Sequence, residues 1–339
     1  LSNNQISVIP DDIAQLVSLE VLNLEKNEIS VIPEIVFQLT NLKTINLGRN
    51  KIKVISHDIA QLINLKSFGC AHNQIKAIPI EIGQLTELRI LSLSYNQIEE
   101  IFDQFKQLIH LKELHLGNNQ IEEIPRSIGR LSNLWSLILE FNLISSLPAE
   151  IADLTNLTSL NLKNNNLTSL PNQMNQLSRL TSLNLHDNRF LKFPEIITQL
   201  SNLQELHLDD NNLRSLPSSI KNLNKLEQLW LGGNSIKELP VGLGQLKSLT
   251  QLHLGRNRLH QIPSELGNLE NLVSLNLSDN HLTNIPSKIL ELKRLKTLNL
   301  KGNSRRGAVT DFSRKLTFRQ QIEKKLEQFY LSLHNIKTK

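Results

Sequence analysis

Read as apolar and polar positions, the chain alternates between two short patterns. One is Leu-x-x-Leu-x-Leu-x-x-Asn, as in Leu203, Leu206, Leu208 and Asn211, or in Leu272, Leu275, Leu277 and Asn280. The other is x-Ile-x-x-Ile-Pro-x-x-Ile-x-x-Leu, as in Ile121, Ile124, Pro125, Ile128 and Leu131. Within Leu-x-Leu, successive side chains face opposite ways, so each copy predicts one short strand with its two Leu inward. Parallel neighbours require a crossover segment, and the second pattern supplies it with a further row of inward aliphatics. The period is fixed at 23 by Asn4, Asn27, Asn50, Asn73, Asn96, Asn119, Asn142, Asn165, Asn188, Asn211, Asn234, Asn257, Asn280 and Asn303, without insertion or deletion. Each Asn stands where the chain leaves its strand. There an amide can both donate to and accept from backbone groups that a tight turn would otherwise leave unpaired, so the ladder is expected to be structural. One coil cannot bury its upper and lower faces, and stability is therefore shared between neighbours. Strands about 4.8 Å apart on one side and bulkier crossovers on the other predict curvature, with the strands lining a concave face.

On these motifs the chain is similar to the leucine-rich repeat family, in the 23-residue form of Ras-group intracellular scaffolds and many bacterial repeat proteins, over about residues 1–303. The resemblance implies an α/β leucine-rich repeat solenoid, a curved horseshoe with a parallel concave sheet, made of a partial first repeat and about 13 full ones. It also implies a non-catalytic protein–protein interaction scaffold that binds a protein partner on its concave face. Small GTPases, kinases and phosphatases are the partner types it suggests, by analogy of fold alone. Two alternatives stay open: the recognition domain of a larger signalling enzyme (GTPase, kinase or ubiquitin ligase), and a secreted or surface bacterial protein that binds host material. The text begins inside a repeat at Leu1, so an upstream segment is expected.

Composition narrows this picture in three ways. Only 39% of the 339 residues are apolar, and no run of about 18 apolar residues offers a membrane span. A single cysteine, Cys70, excludes an internal disulfide framework and points to a reducing, cytoplasmic setting. The net charge of +5 is concentrated at the end of the chain: residues 301–339 hold ten Lys or Arg against three acids, whereas residues 1–300 hold 27 against 29. A nearly neutral array without a basic stripe argues against nucleic acid as the partner. The last segment leaves the repeat. Residues 304–316 read as a polar linker, Thr317-Phe318-Arg319-Gln320 has the form of a capping box, and Ile322, Leu326, Phe329 and Leu333 follow at helical spacing. A linker and C-terminal helical cap over 304–339 are expected, on a monomeric chain.

Some positions depart from the pattern. Ser56 and Phe102 replace the proline, and Phe105 stands where Ile is usual. Phe68 and Cys70 take the two inward positions of one strand, which makes Cys70 a small buried hydrophobe in place of a nucleophile. Most outward strand positions are Ser, Thr, Asn or Gly, with Asn23, Asn46, Asn161, Asn184, Asn276 and Asn299 in the central column. The middle of that column differs, holding His115, Ile138, His207, Trp230 and His253. Beside them stand Glu113, Glu140, Glu205, Asp209, Gln228 and Gln251, with Tyr95, Phe141, Asp210 and Arg256 at the rim. Aromatic and mixed charged groups on a rigid scaffold are typical interface material, and Trp230 is the leading anchor. The competing expectation is that these side chains, with Trp135, stack on their neighbours one strand away. Glu205, His207 and Asp209 alternate along one strand about 6.6 Å apart and splay outward, too far to share a zinc ion with bonds near 2.1 Å. No catalytic, cofactor or metal residue is therefore assigned. The sequons at Asn156, Asn166 and Asn276 follow from the repeated text and carry no separate weight.

Overall fold

A computed structural model describes residues 1–303, so the linker and capping helix expected over 304–339 lie outside the described residues. The chain divides into two compact units, the first spanning Leu1–Asn212 and the second beginning at Leu213.

The first unit carries nine three-residue strands: β1 (Val21–Asn23), β2 (Thr44–Asn46), β3 (Ser67–Gly69), β4 (Ile90–Ser92), β5 (Glu113–His115), β6 (Ser136–Ile138), β7 (Ser159–Asn161), β8 (Ser182–Asn184) and β9 (Glu205–His207). Each pairs in parallel with the next at a register of one repeat, so that Leu22 lies opposite Ile45, Leu91 opposite Leu114 and Leu183 opposite Leu206. The second unit repeats the arrangement with β10 (Gln228–Trp230), β11 (Gln251–His253), β12 (Ser274–Asn276) and β13 (Thr297–Asn299). The middle residue of most strands is fully buried, together with the second Leu of the motif and the aliphatics of the crossover. Phe68, Phe105 and Cys70 are buried as well, and burial pushes the Cys70 thiol up to about 12, which keeps it protonated and unreactive.

Each crossover contains a five-residue 3₁₀ turn. Eleven of the thirteen turns are preceded by proline, which accounts for every proline in the chain. Proline suits that place because its φ is already set and it brings no N–H to leave unpaired. Where Ser56 replaces it, the hydroxyl accepts from the Asp58 N–H at 3.2 Å. Phe102 offers neither device: its φ is −94° and its side chain caps nothing.

The asparagine ladder is the buried polar frame of each unit. Asn50 donates through Nδ2 to the carbonyls of Leu47 and Leu24, both at 3.0 Å, and accepts on Oδ1 from the Ile29 N–H at 2.9 Å, tying two coils together. In the second unit Asn257 makes the same set with Leu254, Leu231 and Ile236. The residue before each ladder Asn has a φ between +50° and +77°. Only Gly233 and Gly302 take this left-handed turn without a Cβ; Lys26, Arg49, Tyr95, Phe141, Asp210 and Arg256 are among those that adopt it with a side chain. A second, outer row of hydrogen bonds was not foreseen from the sequence. Asn41, Asn64, Asn133, Asn156 and Asn202 each donate Nδ2 to a carbonyl 24 residues earlier, at 2.7–3.0 Å. Asn156, one of the sequon residues, also accepts from Arg179 Nη1 at 2.7 Å. Among the described residues no helix is long and apolar enough to cross a membrane.

Candidate interaction surface

Because the two Leu of each strand point into the core, the flanking residues point out, and a repeat of 23 stacks equivalent positions into columns. Nothing in the packing of the Leu constrains what these columns carry, so they can vary. In the first unit the columns carry richer chemistry on β5 and β6 and again on β9, with Ser and Asn between them on β7 and β8. On β5, His115 Nε2 lies 3.4 Å from Glu113 Oε2. Ile138, half-buried, takes the same column on β6. Glu140 follows that strand and accepts from Asn161 Nδ2 at 2.6 Å; burial raises its carboxyl above the usual 4.5, against the opposing effects of its own backbone hydrogen bond, His115, Lys163 and Asn161.

The end of this unit is the most polar part. Ser182 Oγ donates to Glu205 Oε2 at 3.2 Å. His186 Nδ1 lies 3.3 Å from Asp209 Oδ2 and 3.8 Å from Asp210 Oδ2, bringing two of the expected residues to one imidazole. Asp209 is 9% exposed, so its carboxylate is shielded on the strand face. Burial lowers the His207 pKa from 6.5, with Asp209 and Glu205 pulling it the other way. At the rim, Tyr95 stacks on His72 with ring centroids 4.0 Å apart and planes 10° apart, and Lys163 Nζ sits 5.3 Å from the Phe141 ring centroid. Tyr95 and Phe141 nevertheless stay 48% and 39% exposed. The sequence reading missed His72, Lys163 and His186, although each belongs to a strand-flanking column defined by the period.

In the second unit Trp230 and His253 are direct register partners on β10 and β11, and their rings stack with centroids 3.7 Å apart and planes 14° apart. Stacking on the neighbouring strand is what self-packing predicts. Both residues remain half-buried. Gln228 and Gln251 pair in the column beside them, and Arg256 is exposed at the rim with φ +55°. Among the described residues no group of three or more His, Cys, Asp or Glu is arranged to hold a metal ion.

A short parallel strand, a left-handed turn sealed by a buried Asn and a 3₁₀ crossover, repeated every 23 residues, define a repeat solenoid. A model of the leucine-rich repeat region matches residues 1–104, 100–206 and 173–257, and a leucine-rich repeat model matches 247–304. The chain belongs to the leucine-rich repeat family, and the fold is that of a leucine-rich repeat solenoid. Among solved structures it is similar to the Leptospira interrogans leucine-rich repeat protein LIC12759, with 38% identity over 89% of this chain and 77% of that one and a TM-score of 0.86. It is similar to the plant peptide hormone receptor RGFR1 in complex with RGF2, at 28% identity over 88% of this chain and 54% of that one, TM-score 0.74. An internalin, InlF, from Listeria monocytogenes matches at 25% identity over 86% and 89% of the two chains, TM-score 0.66. The chain thus spans about half the length of the plant receptor chain. No curated protein matches it. The family fold implies a protein-interaction scaffold.

Proposed function

We propose that the chain is a non-catalytic scaffold that binds a protein or peptide partner on the concave strand face, through His115, Ile138, Glu205, His207, Asp209 and Asp210 with Tyr95 and Phe141 in the first unit, and through Gln228, Trp230, Gln251, His253 and Arg256 in the second. The observation that carries this reading is the change in the strand-flanking columns: Ser and Asn on β7 and β8 give way to Glu205 and His207 on β9, and a stacked Trp–His pair stands on β10 and β11. Solvent contact alone asks for neither an indole nor clustered carboxylates there. The similarity to a receptor solved in complex with a peptide hormone supports a peptide or an extended protein segment as the partner class. The partner types suggested by the sequence, small GTPases, kinases and phosphatases, and a monomeric chain in the cytoplasm remain part of the proposal. A single buried thiol suits a reducing setting.

A second reading, a bacterial protein that meets host material at the surface or after secretion, is favoured by the similarity to the Leptospira and Listeria proteins. One experiment serves both. Capture from lysates of the source and of a host, with the wild-type chain beside a His207→Ala, Trp230→Ala variant of matched melting temperature, is expected to retain a protein on the first and lose it on the second. Equal retention by both would place binding elsewhere, and the lysate that yields the partner separates the two readings.

A further inference from the structure

Among the 3₁₀ turns of the first unit one position is at odds with the fold's own needs. Phe102 precedes the turn Asp103–Gln107 in the place where eleven other turns have proline, and it is 52% exposed. The ring neither fixes the backbone nor caps an N–H, so proline would serve the turn better. On one side of Phe102 runs an open groove of about 780 Å³, whose apolar wall is formed with Ile80, Ile101 and Pro125 and whose one cation is Lys106. On the other lies a groove of about 590 Å³ lined by Glu99, Glu100, Glu122 and Glu123, with exposed Leu143 beyond them.

The four glutamates occupy equivalent positions on successive coils, Glu99 with Glu122 and Glu100 with Glu123, so like charges face each other across the stack. Where coils in this unit pair opposite charges they form ion pairs, as in Glu20 with Lys43 and Glu28 with Lys51 at 2.9 Å, while another column stacks Lys43, Lys66, Arg89 and Lys112. None of the four has an ion-pair partner among the described residues. A run of exposed glutamates is by itself only a solvated surface. An exposed aromatic ring that the turn does not require, set between an apolar groove and four unpaired carboxylates, is a surface with both halves of an amphipathic recognition site.

We propose that this groove docks a cationic segment of a protein partner, a stretch of chain whose Lys or Arg side chains meet Glu99, Glu100, Glu122 and Glu123 while an aliphatic or aromatic side chain packs on Phe102. Charge complementarity selects the occupant: an acidic or neutral segment would leave the four carboxylates repelling one another, whereas cations relieve that repulsion and can lie over the Phe102 ring. The test is fluorescence anisotropy of the full chain with a short fluorescein-labelled peptide alternating Lys and Leu, and with its Glu–Leu counterpart. The Lys–Leu peptide is expected to bind, more weakly as salt rises, and to lose at least about tenfold in affinity in both Glu99→Gln, Glu122→Gln and Phe102→Pro, a factor worth about 1.4 kcal/mol. Phe102→Pro installs the residue used before eleven other turns, so a melting curve no lower than wild type keeps misfolding out of the comparison. Unchanged affinity in either variant, or equal binding of the Glu–Leu peptide, overturns the proposal; loss in the glutamate variant alone would mean that charge attracts the peptide without a groove.

Discussion

Asn142 donates to the carbonyls of Leu116, Leu139 and Glu140 and accepts from the Ile121 N–H, all at 3.0–3.3 Å. Asn142→Ala leaves the Ile121 N–H without its acceptor, while the carbonyls of Leu116, Leu139 and Glu140 keep the donors Asn119 Nδ2, Asn165 Nδ2 and the Asn118 N–H. The substitution is expected to cost about 1–3 kcal/mol, read as a lowered urea midpoint, the cost of one unsatisfied buried group together with the lost link between coils. His207 makes a different prediction, in pH. Burial sets its folded pKa below 6.5, so the unfolded chain takes up the proton first as pH falls. The stability linked to its neutral form is therefore whole above pH 6.5 and declines below it. In His207→Gln the fall of melting temperature on the acid side of pH 6.5 should be shallower than in wild type, and parallel profiles would contradict the assignment. At this scale the inner ladder was legible in the sequence because one side chain at that turn has to donate to several carbonyls and accept from an N–H, a demand an amide meets, and Asn recurs there at every copy. The left-handed position before it was not legible, since Lys, Arg, His, Tyr, Phe, Asn and Asp all occupy it. The outer row of hydrogen bonds was hidden for a similar reason: in its column Asn alternates with Ser248, which donates to the Asn224 carbonyl, and with Arg179 and Arg294, which reach the neighbouring Asn side chain.

Strands and crossovers were visible as a period because the Leu-x-Leu and Ile-Pro patterns are packing demands repeated on every coil. The crossover's form was less so: an Ile-x-x-Leu spacing fits either kind of helix, and the five residues between proline and the closing Leu settle into a 3₁₀ turn. Phe102 tests the account of these turns. Replacing it with proline requires its φ to close from −94° toward the −55° to −74° of the other eleven, and with that small shift should raise stability by up to about 0.5–1 kcal/mol by restricting the unfolded chain. Thermal melting of Phe102→Pro checks it, and a drop would show that the ring packs in a way the turn needs. The candidate surface was half legible at this scale. Residue types such as Trp230 and His207 stood out against a background of Ser and Asn, yet which side chains meet across strands depends on rotamers. The close approach of His186 to Asp209 and the stacking of Trp230 on His253 required coordinates.

For the whole molecule the economy of the fold is what links structure to function. Core Leu, turn Asn and crossover Pro recur on coil after coil and leave the strand-flanking columns free to be chosen by a partner. The sequence could not name that partner, because the columns record shape and charge and not identity. Its near-neutral array is consistent with recognition by a mixed surface in place of a phosphate-binding one. The most direct measurement of that central claim is hydroxyl-radical footprinting of the chain with and without its captured partner. The account predicts protection of His115, His207, Trp230 and His253 on the strand face, with exposed Val31 and Val54 on the crossover side unchanged. Protection confined to the crossover side, with the strand-face residues reacting as in the free chain, would contradict it.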